Sequence, residues 1–579
     1  MSGETDRQFA TLAQEYLDDQ GRRHPDTATE LGDHRFDTHL PDRSAAALAD
    51  ERQALGRWAA ALERIDPATL SAEHQVDAAM MANHVAAQIF ALDEIAEPAW
   101  NPLLANPGRA LYQLLARDFA PLPDRLAAAA GRLAEVPATL AAARDQLGPM
   151  PRVHLETAIT QFSGTITLIT TVLDSALRDG AAGAGAGASA GAGQAELSAV
   201  SRDLAGVRAA ALDALTGHRA WLADRLAGTP DGGFADPRLG AGRFARKLSL
   251  ALNTQADADA ILTRAVADLD RVSEEISAVA ADITGTKAPG RAGATAAGGD
   301  PVVRQVLDRL AADAPDDLTI LAFGRQALAQ QTAFVADHQL VTVLDDPVEV
   351  IEMPEIDRGV AVAYCDPPGP LEPAPGPTFI AVSPTPADWP AERVASFYRE
   401  YNRHMVHNLM VHEAMPGHYL QLQHSRRFRG SDTSIRAALW SGSFVEGWAV
   451  YAEQLMADHG YPGEGDPRAV RMQQLKMQLR MIINAILDAR VHGQGMTEAE
   501  AMALMTGRGY QEEGEAAGKW RRALLTSAQL STYYVGYTEV ADLADELRAA
   551  RPDRPLRELH DEMLAHGSPP VRLLRSVAS

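Results

Sequence analysis

Cysteine is nearly absent: Cys365 is the single one in 579 residues. An internal disulfide is therefore excluded, and the composition favours a reducing compartment. No stretch of about 18 apolar residues occurs, which excludes a bilayer-spanning helix. The amino-terminal segment MSGETDRQFATLAQEYLDD is polar and acidic and has no apolar signal-peptide core. Basic runs are missing too. Lys and Arg number 53 against 77 Asp and Glu, a net charge of −24, and the cations are scattered. A nucleic-acid footprint needs clustered positive charge. These absences predict a soluble cytoplasmic protein with no nucleic-acid or membrane partner; oligomeric state is left open.

What is abundant is helix-forming sequence. The chain is 46% hydrophobic and 22% charged, enough for a large core. Residues 8 to 285 carry apolar positions at three-to-four spacing, as in RLAAAAGRLAEVPATLAAARDQL (125–147). That is the pattern of packed amphipathic helices. GAAGAGAGASAGAG (180–193) reads as a flexible surface loop between helices. TKAPGRAGATAAGGDP (286–301) reads as a second loop that divides a helical half, 1–285, from a second half, 301–579, that carries the HEAMPGH and EGWAVYAE segments. Near residue 340 the character changes. VTVLDDPVEVIEMP, RGVAVAYCDPPGP and GPTFIAVSP are rich in β-branched residues and proline and predict a small sheet. Helices resume at Asp388, an expected N-cap, with Pro390 in the first turn. The expected fold is mainly α with a small β-sheet.

The segment HEAMPGHYLQ, 412–421, poses a chemical question. A zinc-peptidase helix carries HExxH, with the second His four residues on; here His418 is six residues after His412. The helix from Asp388 should bury Val394, Tyr398, Tyr401, Met405 and Leu409, and His412 continues that stripe. On an undisturbed helix His418 would lie about 120° away, too far round for one metal. Pro416 and Gly417 intervene, and such a pair can loosen the turn and absorb two extra residues as a bulge does. A third ligand is offered by SFVEGWAVYAEQL (443–455), where Glu446 shares a predicted face with Leu439, Val450 and Glu453. A carboxylate on a buried stripe is costly unless it is paired, protonated or metal-bound. Glu453 is placed to hold a ligand from behind.

HEAMPGHYLQ followed by FVEGWAVYAE resembles the bacterial family called domain of unknown function 885, which in turn is similar to the gluzincin metallopeptidases. HPDTATELGDHRFD (24–37), GPTFIAVSP, ILDARVHGQGMTEAEA (486–501), AQLSTYYVGYTEVADLADELR (528–548) and HDEMLAHGSPPV (560–571) resemble further blocks of the family. The resemblance implies a large helical metallopeptidase-like fold with a deep central channel and a sheet beside the active-site helix. It implies that His412, His418 and Glu446 bind one Zn²⁺, another divalent metal being possible. Glu413 would be the general base toward zinc-activated water. Tyr533 and His492 would be catalytic, stabilising the oxyanion. Arg522 would take a substrate carboxylate, and Tyr534 would contact substrate as the neighbour and backup of Tyr533.

The chain departs from the family pattern at Ala489-Arg490, Met496 and Ser527-Ala528. Arg490 adds positive charge near His492 and suggests a carboxylate-bearing substrate. Thr497 and Glu500 form a capping box. His404, His407 and His424 flank the motif as supporting or surface residues, and Cys365 reads as a small core residue. The expected activity is zinc-dependent hydrolysis of peptide or amide bonds in short peptides. The alternatives are action on one small amide or amino-acid-derived metabolite in a dedicated pathway, and a non-catalytic, metal-stabilised helical scaffold.

Overall fold

Alanine- and leucine-rich amphipathic segments become helices, and the computed structural model describes residues 2–184, 190–354, 358, 362–387 and 389–578. Side chains are described throughout these except at Ser2 and residues 179–198. The chain forms two compact units. The first comprises Met1–Thr69, Val85–Pro237 and Gly369–Gly376. Its helices Leu122–Gln146 and Arg152–Thr167 bury Leu126, Leu133, Val136 and Phe162 against Leu215 and Leu222 of a third, Ala190–Gly228. The expected loop at 180–193 is largely helical instead. One helix runs to Ala184 and the next starts at Ala190, while 185–189 lie outside the described residues. Alanine, the best helix former, outweighs the interleaved glycines there.

The second unit comprises Leu70–His84, Arg238–Pro368 and Pro377–Ser579. Both units are discontinuous in sequence, and the expected dividing segment 286–301 lies inside the second unit. The reason is packing: helix α1 (Ala258–Thr284) lies against helices from much later in the chain, with Arg471 paired to Glu275 and Arg508 donating to Ser273 Oγ at 2.8 Å. A sheet of β1 (Val348–Glu352), β2 (Ala363–Asp366) and β3 (Thr378–Val382) has the order β1-β3-β2, with β1 parallel and β2 antiparallel to β3. It sits beside α2 (Arg403–Glu413), as expected. The other site elements are α3 (His418–Arg426), α4 (Gly442–Asp458), α5 (Pro467–Gln494), α6 (Glu513–Leu525) and α7 (Thr532–Ala550). Among the described residues no helix is long and apolar enough to cross a membrane.

The single helix expected from Asp388 to His412 is two helices. Asp388 lies outside the described residues, and the first helix, Ala391–Glu400, has Pro390 as its N-cap. It ends at Tyr401; Asn402 then caps α2, its side chain accepting the Met405 N–H at 3.2 Å. An Asn side chain competes with the helical hydrogen-bond ladder and so favours a fresh start. The inward stripe survives the break: Tyr398 and Met405 are buried, while Val394, Tyr401 and Leu409 are half-buried.

Candidate metal centre

The motif helix stops at Glu413. Residues 414–417 link it to α3, which begins at His418, so the expected bulge is a full break between two helices. The backbone shows how two extra residues are taken up. Met415 N–H reaches the Met410 carbonyl five residues back at 3.2 Å; Gly417 N–H reaches Val411 and Leu420 N–H reaches Ala414, each six back, at 3.0 and 3.3 Å. The Met415–Pro416 peptide is cis. A Cβ at position 417 would collide with the carbonyl oxygens of Val411 and His412, so glycine is obligatory there. Trp448 of α4 is fully buried and donates its indole N–H to the Pro416 carbonyl at 2.9 Å, fastening the link to the helix that carries Glu446.

The widened turn brings His418 back to His412. Their rings lie 4.7 Å apart and nearly perpendicular. Glu446 Oε2 is 3.3 Å from His412 Nε2 and 3.5 Å from His418 Nε2, and one ligand atom from each residue lies within 4.8 Å of the others. That oxygen is buried and has no well-formed hydrogen bond. A buried carboxylate oxygen facing two imidazole nitrogens fits a shared divalent cation.

Each group is supported from behind. Glu453, 2% exposed, takes His412 Nδ1 at 2.7 Å and Asn408 Nδ2 at 2.6 Å. This leaves His412 Nε2 directed at Glu446, the division of labour between a metal-ligating ring and its orienting carboxylate. Glu446 and Glu453 share one face of α4, as expected, two turns apart; Leu439, expected on that face, precedes the helix. Glu413 Oε2 accepts the backbone N–H of Cys365 at 2.9 Å. Cys365 is half-buried on β2, at the edge of the sheet, and not a core residue.

Burial drives the Glu413 pKa up against the opposing pull of the two imidazoles. Burial disfavours charged His412, but the Glu446 and Glu453 carboxylates on either side of its ring raise its pKa well above the ordinary value. Burial likewise opposes ionised Glu446, and the imidazoles of His412 and His418 facing it hold its carboxyl far below the usual range.

The other predicted site residues separate into two groups. Helices α4 and α7 cross at Gly447 and Gly536, where a Cβ on either would strike the other backbone. Glu446 adjoins that crossing, and Tyr533 precedes it by one turn. The half-buried Tyr533 hydroxyl receives Arg522 Nη2 at 3.4 Å, so these two come together. Tyr534 is buried and donates to Asp268 at 2.7 Å. His492 is buried with both ring nitrogens engaged by backbone: Nε2 with the carbonyls of Ala523 and Thr526 at 3.0 and 2.8 Å, Nδ1 with the Leu239 N–H at 3.4 Å. Half-buried Arg490 lies within electrostatic reach of Glu500, which closes the expected capping box with Thr497.

The flanking histidines are held elsewhere. His407 meets the Tyr461 hydroxyl at 3.0 Å, His424 the Thr342 carbonyl at 2.9 Å, and His404 lies 3.6 Å from Asp313. Two supports escaped the sequence reading, Trp448 and the Cys365 backbone. Only the motif containing Trp448 hinted at either. A third is His560, whose ring bridges the Leu340 carbonyl and the Tyr451 hydroxyl of α4 at 2.7 and 2.9 Å.

Fold and cluster together define a mainly helical protein with a two-histidine, one-carboxylate centre beside a small sheet. The chain belongs to the family described as bacterial protein of unknown function (DUF885), whose model matches residues 25–577. It is similar to the solved structure of a protein described as a candidate lipoprotein of unknown function from Shewanella oneidensis, at 28% identity and TM-score 0.79 over 98% of each chain. A second such protein, from Colwellia psychrerythraea, shares the fold at 16% identity and TM-score 0.75, covering 99% of this chain and 98% of that one. No functionally curated protein sequence matches.

Proposed function

We propose that this chain is a zinc-dependent hydrolase of peptide or amide bonds in short peptides. The observation that carries the reading is the convergence of His412, His418 and Glu446 within 4.8 Å, with Glu413 next to them. Bound there, zinc would polarise a carbonyl and lower the pKa of water. The remaining chemistry belongs to the chain. Glu453 fixes the His412 tautomer. Glu413, steadied by the Cys365 N–H, takes a proton from attacking water and returns it to the leaving nitrogen. Tyr533, with Arg522 at its hydroxyl, donates to the developing oxyanion.

Against a purely structural site stand the donor count and Glu413. Three ligands converge among the described residues, whereas a structural zinc takes four. A structural site has no need of a general base. The test is metal content by mass spectrometry on wild type and Glu446→Ala, with a short-peptide hydrolysis screen on the same samples. About one zinc per chain, lost together with hydrolysis in the variant, is the expected result. A metal-free wild type that gains no activity with added zinc would return the chain to the scaffold reading.

A further inference from the structure

The connection between α6 and α7 joins Arg522 to Tyr533, and two side chains one turn apart on α5 hold it. Asp488 is fully buried. Its Oδ1 accepts the Ala528 N–H at 3.1 Å, and its Oδ2 accepts the Ser531 N–H at 3.0 Å and the Ser531 hydroxyl at 2.8 Å. His492, 2% exposed, faces the other end of the connection: Nε2 lies 3.0 and 2.8 Å from the carbonyl oxygens of Ala523 and Thr526. A helix leaves carbonyls free where it ends and N–H groups free where it begins. The ring thus serves the end of α6, and the carboxylate serves the turn that starts α7.

These contacts fix the state of His492. Two carbonyl oxygens at Nε2 require the proton there, and the Leu239 N–H, 3.4 Å from Nδ1, requires a lone pair. The ring is therefore a neutral tautomer with both nitrogens occupied, and burial lowers its pKa in keeping with that. It has no hydrogen-bonding atom left for an oxyanion or for a proton in transit. Local stability does not explain the turn either. Ala528 is buried with φ at +65°, the left-handed region that is costly for a residue with a Cβ. Ser531 holds the N-cap position of α7 but gives its hydroxyl to Asp488 and not to its own helix. What the strained turn secures is the place where α7 starts. Tyr533 follows at once, its hydroxyl 3.4 Å from Arg522 Nη2.

We propose that Asp488 and His492 are positioning residues. From one face of α5 they hold the 526–531 connection so that the Tyr533 hydroxyl, beside Arg522, is presented to the developing oxyanion. Neither touches the substrate, and His492 leaves the catalytic role that the resemblance implies. The catalytic consequence rests on the hydrolase reading; the grip on the connection does not.

The experiment measures zinc content, kcat and KM for a short peptide on the zinc-loaded full-length chain, in Asp488→Asn and His492→Leu, each also combined with Tyr533→Phe. Each single variant should keep its zinc and lose about tenfold or more in kcat with KM little changed, because an interaction made only in the transition state is misplaced. In the Tyr533→Phe background the same change should lower kcat by at most about twofold, since the group being positioned is gone. His492→Gln keeps an N–H donor toward the two carbonyls and should recover part of what His492→Leu loses. Equal loss in both backgrounds, no recovery with glutamine, loss of zinc together with kcat, or a lower Tm with kcat intact overturns the proposal. Should Asp488→Asn fail to fold, Ser531→Ala removes only the hydroxyl bond and reads the same coupling.

If wild type hydrolyses no peptide, the hydrolase reading fails separately, and amide hydrogen exchange decides the grip. Faster exchange in Asp488→Asn confined to residues 526–534, with 412–418 as slow as in wild type, sustains it. Exchange that speeds up in both segments, or in neither, overturns it.

Discussion

Two histidines in this chain each lie between two carboxylates, and only one of them belongs to a candidate metal centre. His34, in the first unit, meets Asp37 through Nδ1 and Glu372 through Nε2, both at 2.9 Å, and stacks on Phe119 at 3.9 Å. His412, in the second, meets Glu453 through Nδ1 at 2.7 Å and Glu446 through Nε2 at 3.3 Å. The local pattern is nearly the same. The difference is the third party. His34 has an aromatic face and a satisfied carboxylate at each nitrogen, so it is a stitch joining residues far apart in sequence. His412 has a second imidazole beside it, a Glu446 oxygen left without a proper hydrogen bond, and Glu413 adjacent. A carboxylate–imidazole–carboxylate sandwich is therefore no metal signature by itself; the extra donor and the unsatisfied oxygen are.

The comparison can be broken by substitution. The largest contrast should come from Glu446→Ala against Glu372→Ala. The first should take bound metal from about one per chain to none, and the second should leave metal content untouched. Equal loss in both would mean that global unfolding, and not ligation, is being measured. Next is Glu413→Gln. Metal content should hold while hydrolysis falls by about 10²–10⁴, the usual worth of a positioned general base. Retained hydrolysis would remove Glu413 from the mechanism. Glu453→Gln should be milder, weakening metal affinity by about 10–100-fold in a chelator competition because the His412 ring loses its orienting carboxylate.

The smallest effect concerns His34 and pH. Burial opposes the charged form, but the bonds to Asp37 and Glu372 raise its folded-state pKa above 6.5. Its stabilising contribution is thus fully present below the unfolded value of about 6.5 and is lost as pH rises through the higher folded value. His34→Gln should lower Tm more at pH 5.5 than at pH 8.5, by an amount worth less than about 1 kcal/mol for a half-buried contact that solvent still screens. A Tm difference that grows with pH would reverse the assignment.

Much of the centre was legible because it is local. His412, Glu413 and the Pro416-Gly417 interruption lie within six residues, and the demand for two-residue slack followed from helix geometry alone. The slack took another form, a break closed by hydrogen bonds to carbonyls five and six residues back, because Gly417 lets the chain fold over Val411 and His412. The break at Asn402 was missed for a related reason: apolar periodicity ran on through it, and a single capping side chain decided against continuity. The alanine-glycine segment misled in the opposite direction, since its glycines suggested a loop where the alanines carry helix.

Residue types and short spacings thus placed His412, Glu413, His418 and Glu446 on their helical faces, because three- and four-residue periodicity is a property of the backbone. Which carboxylate would meet which imidazole was not specified. That depended on α4 crossing α7 at Gly447 and Gly536, on Trp448 gripping the Pro416 carbonyl, and on an edge strand bringing the Cys365 N–H to Glu413. These are contacts between segments tens to hundreds of residues apart. They form because packing buries apolar faces together, and no local period encodes which faces those will be.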